Sequence, residues 1–119
     1  MYNRFVSDAE FVDWWVLLRK HLGPRTRIRH WSSARGFLAG SFEASPGPYS
    51  SHECVQIEGP QQTHIYQRLI FTGDFRAVLD RWNDYRAGVI SRRSIDAATK
   101  HSTYVLSIIR WLEEEAGGD

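Results

Sequence analysis

Apolar residues near the start of the chain repeat with the period of an α-helix. Between Ser7 and Leu22, one face is built at spacings of four, three and four residues by Phe11, Trp15, Leu18 and Leu22. Ser7 and Glu10 form a capping-box pattern, in which each side chain bonds a backbone N–H that the first turn leaves unpaired. Gly23 and Pro24 end the pattern, because glycine accepts a left-handed cap and proline cannot continue a helix. The sequence therefore predicts a helix over 7–22.

The middle of the chain has the alternation and the turn residues of β-strands. Residues 25–31 alternate between two sides and predict a first strand, and Gly36–Glu43 predicts a second. Cys54–Glu58 and Thr63–Phe71 predict a strand pair on either side of a Gly-Pro turn. The serine- and proline-rich segment 45–51 predicts a loop between the two pairs.

Helical periodicity returns after Thr72. Thr72 or Asp74 would cap a helix that ends at Gly88 and buries Phe75, Val78, Leu79, Trp82 and Tyr85. A further region, 91–112, repeats at alternating threes and fours through Ile95, Ala98, Ser102, Val105, Ile109 and Leu112. This spacing favours one unbroken helix, although a helix-turn-helix with its turn at 99–102 fits the same residues. The glutamates that follow oppose the helix macrodipole, so we expect a solvated, fraying end.

These elements predict a single α+β domain over residues 1–119. Their order is an N-terminal helix, a mainly antiparallel sheet of about four strands, and two C-terminal helices packed on one face of that sheet. A chain of 119 residues suits one domain and is short for two. Five tryptophans, five tyrosines and six phenylalanines supply more ring surface than we expect so small a domain to bury completely.

Cysteine usage and hydropathy predict a cytoplasmic protein with no membrane partner. Cys54 is the only cysteine, so this sequence forms no internal disulfide, whereas small secreted domains usually need such cross-links. The first residues lack the basic and apolar regions of a secretory signal. No apolar run approaches the ~18–20 residues that span a membrane.

Cationic side chains in two segments are candidates for anion or nucleic-acid contacts. The first segment contains Arg25, Arg27 and Arg29, followed by the ring of Trp31. The second contains Arg92, Arg93 and Lys100. The first three would lie ~6.6–7 Å apart on one strand face beside the ring, an arrangement that suits a single nucleic-acid strand or a small anionic ligand. The last three would contact phosphates if the C-terminal region were a helix-turn-helix. The alternative for both sets is a solvated charged surface.

The seven-residue spacing near the C-terminus also predicts a self-pairing surface. Heptad-like seams pair helices, and exposed tryptophan, tyrosine and arginine dominate protein interfaces. We therefore expect a homo-oligomer, with a protein or small anionic ligand as further partner. The candidate contact residues are Tyr104, Val105, Ile108, Ile109 and Trp111.

No catalytic, cofactor or metal signature stands out. The histidines that would serve an enzyme with Cys54 are His30, His52 and His64, and they would have to converge from separate segments. Neighbours such as Glu53 and Cys54 point to opposite sides of a strand. Neither metal-ligand spacing nor a phosphate-binding glycine loop occurs. We assign no catalytic residue, no cofactor and no metal ligand.

One segment resembles a known group of proteins. The letters WNDYRAGVISRRS and TKHSTYVLSIIRWLE, within residues 82–113, are similar to the C-terminal pattern of small uncharacterised bacterial mobile-element proteins of the integron-cassette type. The resemblance covers about the last third of the chain and implies no catalytic residues. Together, these observations predict a non-enzymatic binding protein that self-associates, with nucleic-acid binding as the alternative.

Overall fold

A four-stranded antiparallel sheet, in the order β1-β2-β3-β4, forms one layer of the fold, and the helices cover one of its faces. The computed structural model describes residues 6–47, 54–58 and 68–117. The predicted α+β architecture is confirmed. Its elements are α1 (Asp8–His21), β1 (Thr26–Ser32), β2 (Gly36–Pro46), β3 (Cys54–Glu58), β4 (Arg68–Phe71), α2 (Thr72–Leu79), α3 (Trp82–Arg86), α4 (Arg92–Ala98) and α5 (Ser102–Gly117).

Helix α1 begins with the predicted capping box. The Ser7 hydroxyl accepts a hydrogen bond from the Glu10 backbone N–H at 3.1 Å, and the Glu10 carboxylate accepts one from the Ser7 N–H at 3.4 Å. The predicted apolar face is buried, with Phe11, Trp15 and Leu18 in the core. Local pairing therefore defines where this helix starts, and burial defines which face it presents.

The sheet directs alternate side chains into the core. Core partners on neighbouring strands are Ile28 opposite Phe42, Ala44 opposite Ile57, and Val55 opposite Ile70. Strand β3 has its predicted bounds, whereas β2 extends to Pro46 into the predicted loop because residues 43–46 pair with β3. The rest of that predicted loop, residues 48–51, and the first part of the predicted fourth strand, residues 63–67, lie outside the described residues.

Helix α5 is the centre of the helical layer. It packs against β1, α1, α2 and α4. Residues 105–109 are five consecutive buried positions, so neighbours surround the helix at that level. Within the described residues, no helix has the length and hydropathy to cross a membrane.

The predicted helix after Thr72 is wrong in its continuity, because it is divided into α2 and α3 around Asp80 and Arg81. The predicted N-caps are also wrong. The N-cap is Phe71, which makes no side-chain capping bond. Asp74 instead accepts a 2.7 Å hydrogen bond from the Thr99 hydroxyl, which ties α2 to the C-terminal end of α4.

The favoured unbroken helix over 91–112 is wrong as well. The chain leaves helical conformation at Thr99, whose backbone is extended (φ −154°, ψ 147°), and α5 starts at Ser102. The Thr99 hydroxyl also accepts from the His101 N–H at 3.1 Å. Hydrogen bonds to another helix and within the turn thus stabilise a break that the apolar spacing alone does not show.

Among the glutamates at the end of α5, Glu113 is less solvated than predicted, whereas Glu114 and Glu115 are exposed as predicted. The Glu113 carboxylate accepts hydrogen bonds from the indole N–H of Trp82 at 3.0 Å and from Arg86 at 2.8 Å. Arg110 pairs with Glu114 along the same helix. These contacts join the last turns of α5 to α3.

Candidate anion-binding pocket

The arginines of the first strand do not form an open cationic row. Arg25 pairs with Glu43 at 3.0 Å, and Arg29 donates two hydrogen bonds, of 3.1 and 3.2 Å, to the Leu38 carbonyl. Glu43, opposite Arg27 on β2, adds negative charge to the same region. The predicted row therefore lies on a sheet face of mixed charge, where two of the three guanidinium groups already have partners.

Trp31 is separated from that row. A register shift between Arg29 and Trp31 interrupts the alternation of β1. The Trp31 ring packs against Trp82, with ring centroids 5.5 Å apart, and its backbone N–H donates to the Ser107 hydroxyl at 3.0 Å. The prediction that Trp31 stacks bases beside the arginines is wrong, because a bulge turns this ring toward the helices.

The C-terminal segment has the break of a helix-turn-helix but not an exposed second helix. The helix that would read DNA is α5, and its residues 105–109 are buried against the rest of the chain. A recognition helix must present its side chains to the major groove. Arg93 and Lys100 are exposed, whereas Arg92 is partly buried and bonded to Asp96 at 2.9 Å. The three cations thus do not flank a free reading helix.

The predicted oligomer seam is largely internal. Val105, Ile108 and Ile109 are at most 1% exposed, so the structure contradicts their assignment to an interface. Tyr104 and Trp111 are partly buried and pack against the core. Every tryptophan is buried or half-buried. The exposed large apolar side chains of the described residues are Val12, Val16, Phe37, Phe71 and Val89.

The histidine and cysteine candidates do not converge among the described residues. The His30 ring packs against Tyr104 on the helix side of the sheet, whereas Cys54 alternates with the core residue Val55 and lies on the opposite side. Burial raises the pKa of the Cys54 thiol above its ordinary value, which disfavours the nucleophilic thiolate. His52 and His64 lie outside the described residues. Within the part that the structure covers, no three His, Cys, Asp or Glu side chains are grouped to hold a metal ion.

A solvent-open cavity of about 640 Å³ lies between the β1–β2 turn and the loop that joins α3 to α4. The volume is within the range of small-ligand sites. One wall comes from the turn, residues 32–35, and the other from residues 85–88 and 90–92. We call this cavity the arginine pocket, because its lining contains Arg35, Arg86 and Arg92.

Hydrogen bonds position the turn that forms the first wall. The Arg35 backbone N–H donates to the Ser32 hydroxyl at 3.2 Å, and Gly36 takes a positive φ of 70°, which favours glycine. The Ser33 N–H donates to the hydroxyl oxygen of the buried Tyr85 at 3.2 Å. The turn is therefore tied directly to α3.

The three guanidinium groups differ in how they are held. Arg86 bonds Glu113 through Nη1 at 2.8 Å. Arg92 bonds Asp96 through Nε at 2.9 Å and Thr103 through Nη2 at 2.8 Å. Within the described part of the chain, the Arg35 guanidinium makes no hydrogen bond or ion pair. Glu113, Asp96 and Thr103 do not line the cavity, so the pocket combines two arginines whose partners lie outside it with one unengaged arginine, Arg35.

The lining favours an anion. No aspartate or glutamate of the described residues lines the cavity, while serine hydroxyls and backbone groups accompany the arginines. Planar guanidinium groups donate paired hydrogen bonds to phosphate or carboxylate, and such charge-assisted bonds are the strong ones. Arginine and serine side chains of this kind can bind and orient an anion.

Of the residues predicted to bind anions, only Arg92 lines this pocket. Arg35 and Arg86 were missed. A local signal exists for Arg35, because it precedes a glycine between two predicted strands and so belongs to a turn. Nothing in the sequence brings that turn to Arg86, which is about fifty residues away along the chain.

No family model, curated protein or solved structure matches this chain.

Proposed function

We propose that this chain is a non-enzymatic binding protein that takes a small phosphate- or carboxylate-bearing ligand in the arginine pocket. The observation that carries the proposal is the lining: it contains Arg35, Arg86 and Arg92 and no described acidic side chain, and among the three only Arg35 is without a described ion-pair partner. Arg86 and Arg92 are pre-oriented by their carboxylate partners. Pre-orientation lowers the entropy lost when a ligand is bound.

Calorimetric titration with pyrophosphate at low ionic strength tests the proposal. Arg35→Gln removes the unengaged guanidinium without disturbing a described ion pair. Hydrogen bonds to charged groups contribute about 1.5–3 kcal/mol each, so we expect affinity to fall about 10- to 100-fold. Arg27→Gln is the matched control, because Arg27 is an exposed arginine of β1 outside the pocket. It should change affinity less than about twofold.

Two results would count against the pocket. One is the absence of pyrophosphate binding by the wild-type protein at low ionic strength. The other is equal weakening by Arg35→Gln and Arg27→Gln, which would mean that general charge attracts the anion. Duplex and single-stranded oligonucleotides belong in the same titration, since tight nucleic-acid binding that is independent of Arg35 favours the alternative function.

Self-association remains part of the proposal, but on a different surface. The predicted seam is internal, whereas Val12 and Val16 are 57% and 61% exposed. They lie one turn apart on α1, so their side chains form one small apolar strip. Pairing of this strip with a second copy would remove both valines from water.

A further inference from the structure

A second cavity, of about 790 Å³, lies between α1 and the C-terminal turns of α5. Its apolar lining includes Trp14 and Leu17 from α1 and Ala116 from α5, while Arg110 and Glu114 supply charge. The two charged side chains already pair with each other. The cavity therefore offers apolar side chains beside charged side chains that already have partners.

Arg86 lines both cavities. Its guanidinium is 2.8 Å from the carboxylate of Glu113, which itself lines the second cavity. The Arg86 side chain is 53% exposed, so it stands at the surface between the two spaces and is not sealed in the core. Arg86 is therefore the residue that connects the linings of the two cavities.

Trp14 gives the second cavity a fixed aromatic surface. The ring is half-buried, and its centroid is 5.7 Å from that of Phe75 and 6.3 Å from that of Trp15. These contacts hold the indole on the rigid helix α1. A half-buried ring of this kind stacks on planar groups of many types, because every aromatic ligand has a π-face.

We propose that the two cavities form one binding site for a phosphate ester that carries a planar ring, the chemical class that includes nucleoside monophosphates. The phosphate lies among Arg35, Arg86 and Arg92, and the ring packs against Trp14. This inference rests on the proposed function and adds the second half of the ligand. Inorganic phosphate fills only the arginine pocket.

Parallel titrations with AMP and inorganic phosphate separate the two halves. Stacking of one base on an aromatic side chain is expected to make AMP bind about tenfold more tightly than phosphate. Trp14→Leu keeps an apolar side chain but removes the ring, so AMP affinity should fall to that of phosphate while phosphate affinity stays unchanged. Trp14→Phe should restore part of the difference.

The indole N–H signal of Trp14 in the wild-type NMR spectrum provides a readout that needs no destabilised variant. It should shift with AMP and stay in place with phosphate; Trp14→Phe identifies the signal. Equal affinities of wild-type protein for AMP and phosphate, or an unmoved indole signal, would overturn the inference. If phosphate binding still requires Arg35 in that case, the proposed function stands alone; if neither compound binds, both proposals fail.

Discussion

Replacement of Glu113 by alanine is expected to destabilise the fold through Trp82. The indole N–H of Trp82 donates to the Glu113 carboxylate at 3.0 Å, and the Trp82 side chain is only 5% exposed. Alanine removes the acceptor and leaves the indole N–H without its described partner. A hydrogen bond to a charged group contributes about 1.5–3 kcal/mol when the loss leaves a buried donor unpaired.

The ion pair between Glu113 and Arg86 adds little to this magnitude. The two side chains are 29% and 53% exposed, so solvent screening limits the pair to about 0.5 kcal/mol. The expected loss in the free energy of unfolding for Glu113→Ala is therefore about 2–3.5 kcal/mol. Glu113→Gln keeps a carbonyl oxygen that accepts from Trp82, so we expect it to cost about 1 kcal/mol.

Urea unfolding followed by tryptophan fluorescence measures these differences as free energies of unfolding. Glu115→Ala is the matched control, because Glu115 is exposed on the same helix and should change the free energy by less than about 0.5 kcal/mol. If Glu113→Ala and Glu115→Ala are equally mild, the carboxylate does not join α3 to α5. If Glu113→Gln is as damaging as Glu113→Ala, the indole hydrogen bond is not the cause.

Two further predictions concern pH and self-association. Burial lowers the pKa of His30 below its ordinary 6.5, so the unfolded chain binds the proton first as the pH drops. The free energy of unfolding should therefore fall below that pH. Urea unfolding at about pH 7.5 and about pH 5.5 measures this fall, which His30→Phe should reduce; an unchanged fall would refute this cause. Light scattering should give the wild-type protein a mass near twice 13.8 kDa. The double variant Val12→Ser, Val16→Ser should have the mass of a single chain. A wild-type mass of one chain at every concentration would contradict self-association.

Elements set by neighbouring residues were predictable from the sequence. The α1 start follows from Ser7 and Glu10, which bond each other across one turn. The bounds of β3 follow from the short run Cys54–Glu58 with turn residues after it. In both segments, local propensity and burial point to the same structure, so tertiary contacts do not change the outcome.

The breaks in the C-terminal helices depend on contacts that the sequence pattern does not contain. Apolar residues at spacings of three and four fit one long helix as well as two short ones. The break at Thr99 is stabilised by its hydrogen bond to Asp74, twenty-five positions earlier. Similarly, Glu113 leaves the expected solvated tail because α3 places Trp82 beside it.

The candidate site was only partly predictable for the same reason. Arginine richness indicated anion binding, but not which arginines meet. The bulge after Arg29 turns Trp31 away from its neighbours, and the β1–β2 turn brings Arg35 to the start of α4. Each of these depends on strand register and helix packing, which single-sequence periodicity does not determine.

The most direct test of the arginine pocket is to locate a heavy anion within it. Diffraction data from a crystal of this protein grown with tungstate, a phosphate-like ion with strong anomalous scattering, should show a peak in hydrogen-bond contact with Arg35 and at least one of Arg86 and Arg92. The peak should be absent from Arg35→Gln crystals of the same form. Tungstate bound only elsewhere on the chain, or a pocket peak that survives the loss of Arg35, would contradict the account.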